Sequence, residues 1–296
     1  MQAFAKVVIV GVGLIGGSLA LALRRAGLAE HIVGIDRDAD ALDDALQLGL
    51  IDSVAASAAS AYADADLIVM ATPVAQAAAV LEAAAAHMGV STLVTDVGST
   101  KADVVAAARA ALGARIAQFV PGHPIAGREI HGPRAAMVDL FDGKRVILTP
   151  LEENSNENVD RVRNAWQRSG AQVSSMDVDQ HDRVLASVSH LPHLLAYALV
   201  AQIIDGPHAQ LKLDLAGAGF RDFTRIAASS PEMWRDIVMA NREMLLVELD
   251  DYCAMLDALR SMIAAGDGDG LLDVFARASR TRLAWTGSAT TPSQTM

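Results

Sequence analysis

Residues 6–23 read Lys6-Val-Val-Ile-Val-Gly11-Val-Gly13-Leu14-Ile15-Gly16-Gly-Ser-Leu-Ala-Leu-Ala-Leu23. A continuous β-branched apolar run meets three glycines at the spacing Gly-x-Gly-x-x-Gly, and an alanine- and leucine-rich helical stretch follows. Each glycine has a mechanical task. Gly11 permits the tight turn, Gly13 lets a pyrophosphate approach the backbone, and Gly16 lets the helix lie close on the strand. The helix start, with Leu14 and Ile15 in its first turn, offers free N–H groups and a positive dipole end to phosphates. Asp36 ends the next apolar run, His-Ile-Val-Gly-Ile-Asp, twenty residues after Gly16. An acid there accepts bonds from ribose hydroxyls and repels a 2′-phosphate, so NAD is expected ahead of NADP. Arg37 beside it is the opposing signal, because a guanidinium suits a 2′-phosphate. The alternative reading of the glycines is a turn that binds nothing.

Outward from this stretch, short apolar runs alternate with helical patterns. Strands are expected at 6–10, 31–35, 67–71, 92–96, 117–120, 145–148 and 172–175. Helices are expected at 16–26, 39–47, 74–88, 101–112 and 156–169. Continuous apolar strands between helices indicate a doubly wound parallel sheet of the Rossmann type. After about Asp177 only helices are read, at 179–204, 231–264 and 270–285. The expected organisation is therefore an α/β nucleotide-binding domain at 1–176, an all-α domain at 177–286, and a disordered tail at 287–296 rich in Ser, Thr and Gly.

Composition narrows the function classes. With 52% apolar and 20% charged residues the chain can bury a sizeable core, and a net charge of −11 argues against a nucleic-acid groove or a polybasic membrane patch. The apolar stretch at 6–23 is interrupted by its glycines. The one at 67–90 is broken by Pro73, Gln76, Glu82 and His87, so neither reads as a membrane span. The single cysteine, Cys253, excludes a disulfide framework and is expected as a core thiol. A soluble cytoplasmic protein is expected.

Polar residues gather at predicted strand ends, where open α/β sheets bind ligands. Thr72-Pro73 ends one strand in a turn over the nucleotide. Thr72 either caps the next helix or touches the cofactor. Asp96-Val-Gly-Ser99-Thr-Lys101 ends the next, and Pro121-Gly-His123-Pro-Ile-Ala-Gly127 the one after. A histidine can take a proton from a hydroxyl as hydride leaves its carbon. A serine near it can orient the imidazole, although Ser99 is also placed to cap the following helix, and His123 to bond a turn.

Asp96-Val-Gly-Ser-Thr-Lys, Gly122-His-Pro-Ile-Ala-Gly, Ser189-His-Leu-Pro-His193 and Phe220-Arg-Asp-Phe-Thr-Arg-Ile-Ala, in this order, resemble the prephenate/arogenate dehydrogenase family over residues 5–285. The resemblance implies that His123 bonds the substrate's ring 4-hydroxyl and takes its proton, and that Ser99 links this histidine, the substrate and the cofactor. It implies that His193 and Arg225 bind substrate, Arg225 at a carboxylate, that Glu129 gates the pocket, and that Trp234 lies near the substrate. A core or interface position is the alternative for Trp234. It further implies oxidative decarboxylation of prephenate, arogenate or both with NAD, on the route to tyrosine, by a homodimer formed through the helical half. The residue types suit the chemistry: an arginine can fork a carboxylate bidentately, and loss of the ring carboxylate is driven by aromatisation, with no metal needed. Tyrosine would fit the same pocket as an inhibitor.

Other polar residues are assigned bland roles. His190 and His193, three apart on one helix, lack a third ligand for a metal, and His190 reads as structural. His181 reads as a cap or solvent residue, Arg221 as a rim charge, and Asp250-Asp251 as a solvated face. Two rival readings remain. One is a related small-acid dehydrogenase with a catalytic lysine, disfavoured because Lys212 is the only lysine after Lys144 and reads as a loop residue. The other is an NAD-binding protein without turnover, which has no need of Ser99, His123, His193 and Arg225 together.

Overall fold

The computed structural model describes residues 3–128 and 130–285. Six strands build the central parallel sheet: β1 (Phe4–Val10), β2 (Ala29–Ile35), β3 (Ser53–Val54), β4 (Leu67–Met70), β5 (Leu93–Asp96) and β6 (Phe119–Val120). Their spatial order is β3-β2-β1-β4-β5-β6, the doubly wound order of dinucleotide-binding sheets. Helices α1 (Leu14–Arg25), α2 (Ala39–Gln47), α3 (Ala58–Tyr62), α4 (Ala77–His87) and α5 (Ala102–Leu112) make the crossovers. The continuous apolar run of β1 is explained by burial on both faces. Val7 and Ile9 enter one core cluster, with Leu19, Leu23 and Trp166. Val8 and Val10 enter the other, with Ile68, Leu81 and Phe119, as the two-residue strand period requires.

The seven expected strands do not all share this sheet. Pro121 follows β6, and the chain bends into β7 (Gly122–Pro124), which pairs antiparallel with β8 (Arg145–Leu148). After α6 (Asn156–Arg168), β9 (Gln172–Ser175) pairs parallel with β8 and completes a separate three-stranded sheet. Proline contributes no N–H to a ladder, so Pro121 is a natural place for pairing to change partner.

Among the described residues, helices alone follow β9. The helix expected at 179–204 is really α7 (Val178–Leu185), a π-helical turn (Ala186–His190) and α8 (Leu191–Ile204). Pro192 supplies the reason for the π turn. It has no N–H for the Val188 carbonyl, and the Leu191 N–H reaches back to Ala186 instead. By length and composition this 27-residue run could cross a bilayer, yet its buried face carries His181, Asp182 and His190. Next come α9 (Ala209–Asp214), α10 (Ala218–Thr224) and α11 (Pro231–Ala240); α12 (Arg242–Ala265) and α13 (Gly268–Ala284) follow. The expected helix 231–264 is thus broken at Asn241. Lys212 sits on α9, not in a loop, and Cys253 is exposed on α12, not buried: its neighbours Ala254, Met255 and Leu256 are exposed too.

Packing divides the chain into two compact units between Arg242 and Glu243. The change to all-helical structure comes earlier, after β9. Helices α7 to α11 belong with the sheets because α7 packs on α5, and α11 packs on the 3-10 turn Val74–Gln76. The tail expected to be disordered lies outside the described residues.

Candidate active site

At the end of β1, Gly11 has φ +96°, and a Cβ there would lie 2.6 Å from the Ala71 carbonyl oxygen. A Cβ on Gly16 would lie 2.0 Å from the Gly11 oxygen and 2.9 Å from Ile9 Cγ2. Gly13 opens onto free space and begins α1 with no side-chain cap. The first-turn N–H groups that include Leu14 and Ile15 therefore meet an uncrowded approach, which is what a pyrophosphate requires. Asp36 at the end of β2 is held by the N–H groups of Val12 (3.0 Å) and Asp38 (3.1 Å), and Arg37 is exposed. Thr72 is half-buried beside Gly11. The turn Val74–Gln76 starts from Pro73 without any side-chain cap, so the capping role open to Thr72 is not taken. These residues fit a dinucleotide.

The ends of β5 and β6 are clamped together. The Asp96 carboxylate accepts the N–H groups of Gly98 (2.8 Å) and Gly122 (3.0 Å) and pairs with the Lys101 ammonium. Lys101 Nζ also donates to the Gly122 carbonyl at 2.9 Å. Both charges are buried. A buried pair with several hydrogen bonds satisfied fixes geometry more surely than it adds stability. Here it sets the loop bearing Ser99 against the strand bearing His123. Ser99 is half-buried and is not the helix cap. Asp182, far along the chain, takes that part, accepting the N–H groups of Lys101 (2.9 Å) and Ala102 (2.8 Å) at the start of α5.

His123 lies within β7, paired with Ile147, and not in a turn. Its Nδ1 is 2.9 Å from His181 Nε2, and His181 Nδ1 is 2.7 Å from Asp182 Oδ1. His181 is fully buried, which overturns its reading as a cap or solvent residue. Burial holds the His123 pKa well below the usual imidazole range, and interactions with His181, Lys101 and His190 lower it further. Burial works to raise the Asp182 pKa, but the bonds from His181 and the α5 N–H groups outweigh it and keep the carboxylate low. Asn241, at the break between α11 and α12, donates from Nδ2 to the Asp182 carbonyl (2.7 Å) and lies 3.0 Å from His190 Nδ1. His190 is buried and its pKa is pushed down to about 4, chiefly by desolvation.

On α8, His193 donates from Nδ1 to the Ser189 carbonyl (2.9 Å) and stacks on Trp234, with ring centroids 3.5 Å apart at 17°. Trp234 is buried. Arg225 begins the 3-10 turn Arg225–Ala228, which packs on α8, and its side chain is exposed. Arg221 is exposed on α10. Glu129 lies outside the described residues. Thus His123 and Ser99 follow adjacent strands, β6 and β5, His193 pairs with Trp234, and the turn that Arg225 begins packs on α8, the helix of His193. His181, Asp182, Asn241 and the Asp96–Lys101 clamp were not anticipated. Helical spacing could have found two of them: His181 and Asp182 share the buried stripe of α7 with Leu185.

Fold and site together define a doubly wound dinucleotide-binding protein whose strand ends carry a buried, uncharged histidine. The family model "Prephenate dehydrogenase, nucleotide-binding domain" matches residues 19–175, and "Prephenate dehydrogenase, dimerization domain" matches 177–277. The prephenate dehydrogenase of Bacillus subtilis is 39% identical over 91% of this chain and 73% of its own length. The cyclohexadienyl dehydrogenase of Zymomonas mobilis is 35% identical over 96% and 97%. Prephenate dehydrogenase from Aquifex aeolicus, solved with hydroxyphenyl propionate and NAD+, superimposes with a TM-score of 0.88 at 35% identity, covering 96% of this chain and 98% of that one. The chain belongs to the prephenate dehydrogenase family.

Proposed function

We propose that this protein is an NAD-dependent dehydrogenase that oxidatively decarboxylates prephenate, arogenate or both. The observation that carries the reading is His123: a buried imidazole, uncharged at neutral pH, just past the end of β6 and tied through Gly122 to Asp96 and Lys101, which flank Ser99 in sequence.

Gly11, Gly13 and the start of α1 hold the pyrophosphate, and Thr72-Pro73 lines the turn over it. Asp36 takes the ribose hydroxyls, and its charge favours NAD over NADP, with exposed Arg37 turned to solvent. Bound NAD supplies the hydride acceptor. His123 Nε2 takes the proton of the ring 4-hydroxyl as hydride leaves C4. Loss of the ring carboxylate as carbon dioxide then sends its electron pair through the ring to the C4 oxygen. His123 returns its proton there, so the imidazole ends neutral. Ser99 orients the hydroxyl, and His193 on its Trp234 platform flanks the ring. Arg225 binds a carboxylate. Tyrosine, which shares the phenol and side-chain carboxylate of the product, is a competitor for this pocket. The helical half forms a homodimer, in keeping with the dimerization-domain match.

The test is NADH formation with prephenate and with arogenate in parallel, for the parent enzyme and for His123→Asn. The variant should lose roughly 10²–10⁴-fold in kcat, the usual worth of a general base. Retention of full activity by the variant, or no turnover with either substrate, would refute the reading.

A further inference from the structure

The Nδ1 side of His123 is closed by a chain of buried groups that the reaction above does not use. We propose that His181 and Asp182 are positioning residues that fix the His123 tautomer and leave its Nε2 as the proton acceptor. The inference rests on the functional reading for its kinetic consequence, but its structural content does not.

The hydrogen-bond polarity follows by elimination from one end. Asp182 is ionised, and its carboxylate already accepts the N–H groups of Lys101 and Ala102. An ionised carboxylate only accepts, so His181 Nδ1, 2.7 Å from Oδ1, must carry a hydrogen. With that hydrogen on Nδ1, His181 turns the lone pair of its Nε2 toward His123. His123 Nδ1, 2.9 Å away, must in turn be the protonated nitrogen of its own ring. Its other nitrogen, Nε2, is left with the lone pair. Without this chain a buried neutral histidine is free to hold its hydrogen on Nε2, the form that cannot act as a base there.

The anchor of the chain is rigid for a separate reason. Asp182 caps α5 from outside its own segment, while Asn241 holds the Asp182 carbonyl at 2.7 Å. Three elements therefore locate one carboxylate, and the loop carrying Ser99 leads directly into the helix it caps. Base and serine are referred to a common point.

The sign of the electrostatic effect is defined. Lys101, His181 and His190 face His123, and each disfavours its protonated form; Asp96 offsets Lys101 within their ion pair. Asp182, one ring further off, is the negative charge on the Nδ1 side. When Nε2 takes the substrate proton, this carboxylate stabilises the imidazolium through His181, with no second proton transfer required.

The experiment has two arms. In the first, the 15N NMR spectrum of histidine-labelled parent protein is recorded near neutral pH, and His123 is identified by its absence in His123→Asn. A neutral ring protonated on Nδ1 is expected. A ring protonated on Nε2 overturns the proposal, whatever the enzyme turns over. In the second, pH profiles of kcat/KM are compared for the parent, Asp182→Asn, His181→Leu and His181→Gln. Asp182→Asn should lose about 10–10³-fold in kcat and move the acid limb to lower pH, because removing the negative charge makes His123 a weaker base. His181→Leu should lose as much. His181→Gln, which can still accept from His123, should recover at least tenfold of that loss. Losses with an unmoved acid limb and no recovery in glutamine would mean a merely structural role and overturn the proposal. A parent enzyme inactive on both substrates would sink the functional reading and leave the NMR arm to decide this one.

Discussion

At Gly16 the fold allows no atom beyond hydrogen. A methyl group would stand 2.0 Å from the Gly11 carbonyl oxygen and 2.9 Å from Ile9 Cγ2, so backbone must move to admit it. Gly16→Ala should therefore lift α1 from β1, lower stability by about 1–3 kcal/mol as overpacking does, and weaken NAD binding at least tenfold. Denaturant melts and calorimetric titration with NAD would measure both. A variant that melts like the parent and binds NAD normally would show that the approach of helix to strand is looser than described. Gly13 is the contrasting case. Its missing side chain leaves open space, and the space lies where a phosphate approaches. Two glycines three positions apart thus act differently, one for packing and one for access.

At the scale of elements, the site depends on where helices stop. Pro192 forces the π turn that brings His190 inward and starts α8 with His193 in its first turn. Asn241 ends α11, and its amide reaches the Asp182 carbonyl and His190 together. Asn241→Ala removes both bonds inside a buried network and leaves their partners unsatisfied, which should cost about 1–3 kcal/mol. It should also reduce kcat more than it raises KM for prephenate, because it frees α7 but touches no substrate group. Steady-state kinetics beside a urea melt would show it; unchanged stability would mean that water replaces the amide. The same reasoning explains why α11 and α12 were read as one helix: Asn241 sits among residues with sound helical periodicity, and its non-helical backbone is stabilised by contacts across 51 and 59 residues of sequence.

For the whole molecule, the neutral buried histidines tie stability to pH. His190 is held at about 4, against roughly 6.5 for an exposed imidazole, and His123 is shifted in the same direction. The unfolded chain therefore binds more protons than the folded one as pH falls through about 6.5, and stability must decline toward pH 4. His190 alone contributes roughly 3 kcal/mol of that loss. Urea midpoints followed from pH 7 down to pH 4.5 should fall steadily. A flat profile would mean that these imidazoles charge in the folded state. In the second compact unit, α12 and α13 leave Leu246, Val247, Met255, Leu256, Leu272 and Phe275 exposed. Apolar surface of that extent is what a helical dimerisation domain presents before a second copy covers it.

Short-range patterns already specify the doubly wound sheet, the glycine turn, the acid at the end of β2 and the motifs bearing Ser99 and His123. Each is a local signal: a period of two or 3.6, a turn that only glycine can make, or residues within a few positions of one another. The tertiary structure alone decided that His123 lies in an antiparallel strand of a second sheet, that Asp182 rather than Ser99 caps α5, and that His181 is a buried link rather than a surface residue. Those outcomes rest on partners 58 and 81 residues apart. A hydrogen bond over such a span is set by how elements pack, and no short-range pattern encodes it. Even so, the burial of His181 and Asp182 was within reach of the helical period, since both share the stripe of Leu185. Which atoms they would meet there was not.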